Sequence, residues 1–328
     1  MPPAKTRGPA PQGGVVLPEA SPPTNASHLI SDRKEVFYET MVQLERLVSN
    51  PEHAGFIRTG LHDVDSLITG FSAGDLVVVG GRPAMGKTSF GLGLTVRAAL
   101  DQATPTVFFS QESSAEALMT RVIAAEAHVN QTCVRTGRLH TDDFMRMGRA
   151  AGLLSQAPLW FESLSNATLA SLRERISALV QNAGVRLVVI DYLQLFETLG
   201  AESRHQGVAA ISRGLKNLAR EYKISIIILS QCSRAPEQRS GFDKRPQLPD
   251  LRDSGAIEDD ADIVMFLYRR EYYDVLDGRD PNEPNRWGEI SAGRAEVIIA
   301  KQRNGPTGTA FVAFDRSYSR FDNLPTSS

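Results

Sequence analysis

The stretch Gly81-Arg82-Pro83-Ala84-Met85-Gly86-Lys87-Thr88 constrains this chain more than any other. Glycine, four residues, then Gly-Lys-Thr is a loop whose backbone must curl until its N–H groups converge. Such a loop needs a strand leading in and a helix leading out. Residues 76–79 form a short apolar run, and residues 87–101 have helical character. The helix N-terminus then adds its dipole to the converging N–H groups, which makes a cradle for a phosphate chain. Lys87 brings a point charge to β- and γ-phosphates, and Thr88 a hydroxyl to Mg²⁺. Arg82, Pro83, Ala84, Met85 and Ser89 complete the expected ATP-binding positions with Gly81 and Gly86.

The rest of the chain fits around that loop. Apolar runs recur at 106–109, 187–190, 224–229 and 263–267, with a last one at 296–300. Near-continuous runs of this kind suit strands buried on both faces. Helical segments lie between them at 114–127, 168–182 and 206–222. The alternation predicts an α/β fold, a doubly wound and mostly parallel sheet with helices on both faces. No internal repeat is present.

Upstream the character changes. Residues 1–30 carry seven of the eighteen prolines, at positions 2, 3, 9, 11, 18, 22 and 23. Such a stretch buries too little apolar surface to offset its ordering entropy and is expected to be a disordered, solvated tail. A partner-binding Pro-rich motif is the alternative. Residues 31–50 then read as a helix, capped by Ser31 or Asp32. Val36, Phe37, Tyr38, Met41, Leu44, Leu47 and Val48 form one apolar stripe. This helix packs on its own domain or docks on a neighbour. Residues 51–328 form the one large domain.

A phosphate-binding lysine needs a carboxylate on the Mg²⁺ side. Asp191 closes the run 187–190 at a strand end and fits the Walker B position that complements the Walker A loop. In many ATPases a glutamate comes next, but here Tyr192 follows. Glu112, just past the strand 106–109, is the candidate base to polarise a water in line with the γ-phosphate. The alternative is a helix-start glutamate favoured by the macrodipole. Gln231, at the end of the run 224–229, is either a γ-phosphate sensor or an ordinary turn glutamine.

Charge and cysteine content exclude several classes. Thirty-six basic residues face 38 acidic ones, a net charge of −2. That excludes binding nucleic acid by bulk charge but not by a local patch. Cys133 and Cys232 have no His or Cys at ligand spacing, so neither a disulfide framework nor a zinc site is expected. A reducing, cytoplasmic setting fits. No apolar run nears the ~20 residues of a membrane span, and the N-terminus has no signal-peptide core.

Taken together, Gly81–Thr88, "FSQE" ending at Glu112, "IDYLQ" from Ile190 and "LSQ" ending at Gln231 resemble the C-terminal motor of DnaB-type replicative helicases, a RecA-like P-loop ATPase. Further segments carry the same likeness: "RTGLHDVD" from Arg58, "QTCVRTG" from Gln131, "ISRGLKNLARE" from Ile211, "LRDSGAIEDDADIVMFLYR" from Leu251 and "KQRNGPTG" from Lys301. The resemblance covers roughly residues 31–320. It implies Glu112 as catalytic base and Gln231 as sensor. It implies a homo-oligomeric ring, a hexamer, that hydrolyses ATP with Mg²⁺ between neighbouring subunits. Arg303 becomes an arginine finger reaching the neighbour's γ-phosphate, with Lys301 beside it. Arg121 matches a family arginine near the phosphates, or else sits on the surface of its helix.

The resemblance also implies 5′→3′ movement on single-stranded DNA during replication. Arg252, Asp253 and Gly255 match the pore loop that grips DNA phosphates. A second basic stripe, Arg213, Lys216 and Arg220, lies near the other pore loop around residues 203–207, or forms a solvated helix face. Phe242 is the one clear aromatic in these loops, so backbone gripping with little sequence preference is expected. The 31–50 helix resembles the family's linker helix, which docks on the adjacent subunit. The N-terminal collar that meets primase has no counterpart in this sequence. Contact with primase or a loader is therefore left open, and the short form is expected of a phage, plasmid, mobile-element or accessory enzyme. Two other readings share the Walker motifs: a RecA-like filament-forming recombinase, and a helicase-associated adaptor ATPase.

Overall fold

The structure, a computed structural model, describes residues 33–49, 55–164, 168–191, 204–239, 243–251, 255–284 and 288–325. The strands are β1 (Leu76–Gly81), β2 (Thr106–Ser110), β3 (Leu159–Ser163), β4 (Leu187–Asp191), β5 (Ser225–Gln231), β6 (Ile263–Tyr268), β7 (Arg294–Gln302), β8 (Gly308–Asp315) and β9 (Arg320–Asp322). The helices are α1 (Arg33–Ser49), α2 (His62–Ile68), α3 (Lys87–Asp101), α4 (Ala115–Glu126), α5 (Gln131–Thr136), α6 (Thr141–Leu154), α7 (Leu169–Ala183), α8 (Arg204–Tyr222), α9 (Ala235–Gln238), α10 (Gly255–Asp260) and α11 (Arg270–Leu276).

One sheet holds all nine strands in the order β3-β2-β4-β5-β1-β6-β7-β8-β9. The six from β3 to β6 are parallel. The last three reverse direction at each step. The expected doubly wound sheet is present, with an antiparallel extension on one side. Alternation along each parallel strand splits its side chains between two cores. Val77, Val79, Phe108, Val189, Ile227 and Leu229 pack with α2, α3 and α4 on one face. Leu76, Val78, Val107, Val188, Ile226 and Ile228 pack with α7 and α8 on the other.

Every expected strand is present, and each runs past its expected C-terminal end. Apolarity marks only the length buried under helices, whereas ladder pairing continues to the rim. The run 296–300 is not the last strand, because β8 and β9 follow it. β8 alternates buried and exposed positions, with Phe311 40% exposed, as an antiparallel strand with one open face does. A search for continuous apolar runs passes over it.

α1 falls in a unit, Met1–Ala54, separate from Gly55–Ser328. It spans nearly the expected helix, and Val36, Phe37, Tyr38, Met41, Leu44 and Val48 are exposed. The Pro-rich tail 1–30 lies outside the described residues. On α8 the expected basic stripe does not hold together. Arg213 and Arg220 are exposed, but Lys216 is buried on the face that carries Leu215 and Leu218. It forms an ion pair with Asp262 there.

Candidate active site

Parallel strands bring their C-terminal ends to one rim of the sheet. Gly81 of β1 pairs with Gln231 of β5, and Ser110 of β2 pairs with Asp191 of β4. The phosphate loop, Gln231, Asp191 and the segment carrying Glu112 therefore meet at that rim.

The loop's curl depends on its glycines. Gly86 caps α3 with φ +91°, where an L side chain is strained. A Cβ there would lie 3.0 Å from the Phe321 ring. Ala84 is also left-handed, at φ +65°. Met85 is buried and anchors the loop, and the Phe90 N–H donates to the Gly86 carbonyl at 2.8 Å. Arg82 turns away from the phosphate side. Its Nε and Nη2 donate to the two Glu237 carboxylate oxygens at 2.8 and 3.0 Å, and its Nη1 donates to the Cys232 carbonyl at 2.9 Å.

Lys87 Nζ donates to the Arg82 carbonyl at 3.3 Å. Burial pushes its pKa down, while Asp191 and Glu112 act to keep it charged. Thr88 Oγ1 donates to Asp191 Oδ2 at 2.7 Å. Asp191 is only 3% exposed, and burial pushes its carboxyl pKa up. A hydroxyl and a carboxylate in contact at the mouth of a phosphate loop are oxygen donors of the kind Mg²⁺ takes. No cluster of three or more His, Cys, Asp or Glu side chains able to hold a metal occurs among the described residues. A cation here would be shared with phosphate oxygens, which suits Mg²⁺.

Glu112 is exposed, and its N–H donates to Ser110 Oγ at 3.3 Å. It is not a helix-start glutamate. Ser114 caps α4 and Glu116 occupies the first turn. Arg121 projects from α4 towards the loop, with Nη2 3.5 Å from Ser89 Oγ. Desolvation lowers its pKa, against the pull of Asp191 and Glu112. Lys87, Thr88, Glu112, Arg121, Asp191 and Gln231 all line one cleft of about 370 Å³.

Lys301 and Arg303 are not in that cleft. β7 runs antiparallel to β6, so Lys301 pairs with Val264, and Gln302 with Ile263 at the start of β6. Ile263 in turn pairs with Val77 at the start of β1. Lys301 is thus level with Val78, roughly 10 Å back from Gly81 by strand rise, and Arg303, one residue past Gln302, lies beyond the level of Val77, roughly 16 Å back, towards the opposite rim. Lys301 Nζ donates to the Glu258 carbonyl, and Arg303 Nη2 to the Asp259 carbonyl at 2.7 Å.

Arg252, Asp253, Phe242 and residues 192–203 lie outside the described residues. Gly255 opens α10 and is exposed, with open space among the described residues where a Cβ would stand. Several basic residues between β5 and α10 are committed internally. Arg239 pairs with Asp250 at 2.6 Å, and Arg245 with Glu296 at 2.6 Å while lying over the Tyr268 ring. Lys244 donates to the Arg239 carbonyl at 2.6 Å. Arg239 and Arg245 each meet an acid within this fold and Lys244 a backbone carbonyl, which a count of charges along the sequence does not reveal.

Three supporting residues escaped the sequence reading. Ser110 Oγ accepts from the Glu112 and Ser113 N–H groups. Arg269 donates to the Ala84 carbonyl at 3.1 Å and stacks on Phe314. Asp262 binds the start of β1. Arg269 and Asp262 both stand in the segment beginning at Leu251, but only the folded strand order brings them to their partners.

The protein-family comparison matches residues 56–323 to the DnaB-like helicase C-terminal domain. The chain is 40% identical over 293 residues to the replicative DNA helicase DnaB of Geobacillus stearothermophilus, covering 89% of this chain and 62% of that protein. It is 39% identical, with the same coverage, to the replicative DNA helicase DnaC of Bacillus subtilis. It thus spans under two thirds of these relatives. A solved DnaB-like replicative helicase, described with its interactions with primase, is 33% identical at a TM-score of 0.76, over 88% of this chain and 66% of that one. With the loop, the cleft and the strand order all in agreement, this chain belongs to the DnaB-like helicase C-terminal domain family.

Proposed function

We propose that this chain is the motor of a DNA helicase, an ATPase that works as a ring of identical subunits, six by family resemblance. The loop N–H groups and Lys87 hold the β- and γ-phosphates of ATP. Thr88 and Asp191 would hold Mg²⁺, which when bound offsets charge on the phosphate oxygens. Glu112 orients a water towards the γ-phosphorus and takes its proton. Gln231, at the end of β5, senses whether the γ-phosphate is present, and Arg121 neutralises charge from α4.

One observation carries the ring. The cleft gathers a loop, a base and a Mg²⁺-side carboxylate at one rim, while Lys301 and Arg303 stand at the other. They cannot reach their own subunit's phosphates across β1. They can reach a neighbour's if each subunit presents its far rim to the next cleft. An arginine supplied this way is worth about 10³–10⁵ in rate. Arg252, Asp253 and Gly255 are proposed to grip single-stranded DNA, with 5′→3′ movement carried over from the family. Primase or a loader is a candidate partner, in a cytoplasmic setting; no helix among the described residues is long and apolar enough to cross a membrane.

The test is ATP hydrolysis with and without single-stranded DNA, beside negative-stain images with a nonhydrolysable nucleotide. Closed rings and DNA-stimulated turnover are expected. A monomer without stimulation overturns the proposal, and helical filaments on DNA favour the recombinase alternative. Glu112→Gln should keep ATP binding and lose about 10²–10⁴ in turnover. Unchanged turnover removes Glu112 as the base.

A further inference from the structure

At the far rim, Arg303 is held by more than its own strand. Its N–H donates to the Asp262 carbonyl at 3.0 Å, its Nη2 to the Asp259 carbonyl at 2.7 Å, and its Nε lies 3.5 Å from Asp262 Oδ1. The other oxygen of that carboxylate faces inward. Asp262 Oδ2 accepts from the Leu76 N–H, at the first residue of β1, at 2.8 Å. It also accepts from the ammonium of Lys216. Lys216 in turn donates to the Gly74 carbonyl at 2.7 Å, so it is tied to the turn that leads into β1.

The exposures show which member is free to move. The side chains of Lys216 and Asp262 are 9% and 11% exposed, and that of Arg303 is 43% exposed. One carboxylate oxygen is thus fixed to the buried frame, and the other meets a half-exposed guanidinium. An unheld arginine spreads over many rotamers. One held at its Nε and at one Nη presents the rest of its fork in a narrow range of directions.

We propose that Asp262 is the positioning residue of Arg303, tying the guanidinium to β1 and α8 so that it arrives pre-aimed at the neighbouring subunit's cleft. The inference rests on Arg303 acting in trans. Asp262 touches no phosphate and acts only through Arg303. Misplacing a reacting group by about 1 Å costs up to about 10² in rate, so this is the scale of its effect.

A purely structural Asp262 would matter as the counter-ion of buried Lys216 and as the acceptor for the Leu76 N–H. Three variants of the full chain separate the two roles, each assayed as assembled rings for kcat and for the KM of ATP. Asp262→Asn keeps an oxygen for the Leu76 N–H and loses the charge. Lys216→Met with Asp262→Asn also removes the buried ammonium, so the interior no longer needs the carboxylate. Arg303→Ala sets the floor. Asp262→Asn and the double variant should both lose about 10- to 100-fold in kcat at an unchanged KM for ATP. If Asp262→Asn does not fold, the double variant carries the test. Parental kcat in the double variant, beside a slow Arg303→Ala, makes Asp262 a mere counter-ion and overturns the proposal. A raised KM at parental kcat overturns it as well. Parental kcat in Arg303→Ala removes the finger itself, and the positioning role with it.

Discussion

Arg82 stands second in the phosphate loop, where a cation invites the idea of a phosphate contact. The structure instead clamps it to Glu237 on α9 and to the Cys232 carbonyl. The clamp ties the first turn of the loop to the end of β5, so its loss should loosen the cradle without touching a phosphate. Arg82→Ala removes a two-pronged charged pair and one bond to a buried carbonyl. Charged hydrogen bonds are worth about 1.5–3 kcal/mol each. Arg82 is 9% exposed but Glu237 is 38% exposed, so the pair is partly screened and needs a discount. A net cost of about 2–4 kcal/mol follows. In a domain of this size that lowers Tm by roughly 5–12 °C. Glu237→Gln keeps one acceptor and loses the charge, at about 1 kcal/mol and roughly 2–4 °C.

The assay is thermal unfolding of the nucleotide-free protein beside the KM for ATP. Both variants should lower Tm in that order, and both should raise KM, because Glu237 acts on the loop only through Arg82. The decisive comparison is Glu237→Gln. If it matches the parent in Tm and KM while Arg82→Ala alone raises KM, Arg82 works on the phosphates directly, and the clamp has no bearing on nucleotide binding.

Two further outcomes follow from the same rim. Gly80→Ala would put a methyl 2.7 Å from the Phe266 ring and 3.0 Å from Leu251, both buried, so overpacking should cost about 1–3 kcal/mol in denaturant unfolding. Burial lowers the Lys87 pKa, so the unfolded chain holds more protons than the folded one and nucleotide-free stability should rise as pH climbs through that lowered pKa. Phosphate favours the charged lysine, so ATP affinity should fall over the same rise. Equilibrium ATP binding at pH values between neutral and the ordinary lysine range measures it, and a flat profile refutes a Lys87 that titrates early.

How far the sequence carried varies by element. The six apolar runs and the helices between them were legible because strands buried on both faces need continuous apolarity. Polar strand ends were less so: Ser110 and Gln231 complete their ladders but look like loop or turn residues. β3, β8 and β9 lie towards the sheet edges, where an open face weakens the pattern. In the site, Lys87, Thr88 and Asp191 were legible from motif and strand position. That Glu112 lies outside the first turn of α4 was not, since it turns on Ser114 being the cap. Lys216 misled, because a helical stripe of three cations gives no sign that the middle one faces a buried carboxylate 46 residues away.

The antiparallel end of the sheet explains why a chain with its own complete-looking cleft is proposed to need a neighbour. In a purely parallel sheet every strand delivers its C-terminal residues to the same rim, and nothing with comparable chemistry collects at the other. β7 breaks that rule by running back along β6, so that Lys301 and Arg303 emerge beside the start of β1. A hairpin continuing into β8 makes the reversal cheap in chain length and holds β7 on both sides. On the proposed reading each chain has two unlike faces, one to receive a phosphate chain and one to offer cations. Two unlike faces on one chain pair head to tail and close into rings when the rotation allows. The same reversal lets Asp262, at the turn into β6, grip both the first residue of β1 and the guanidinium beyond β7. A parallel seventh strand would have carried that guanidinium to the rim of its own cleft, and the proposed head-to-tail arrangement would lose its second face.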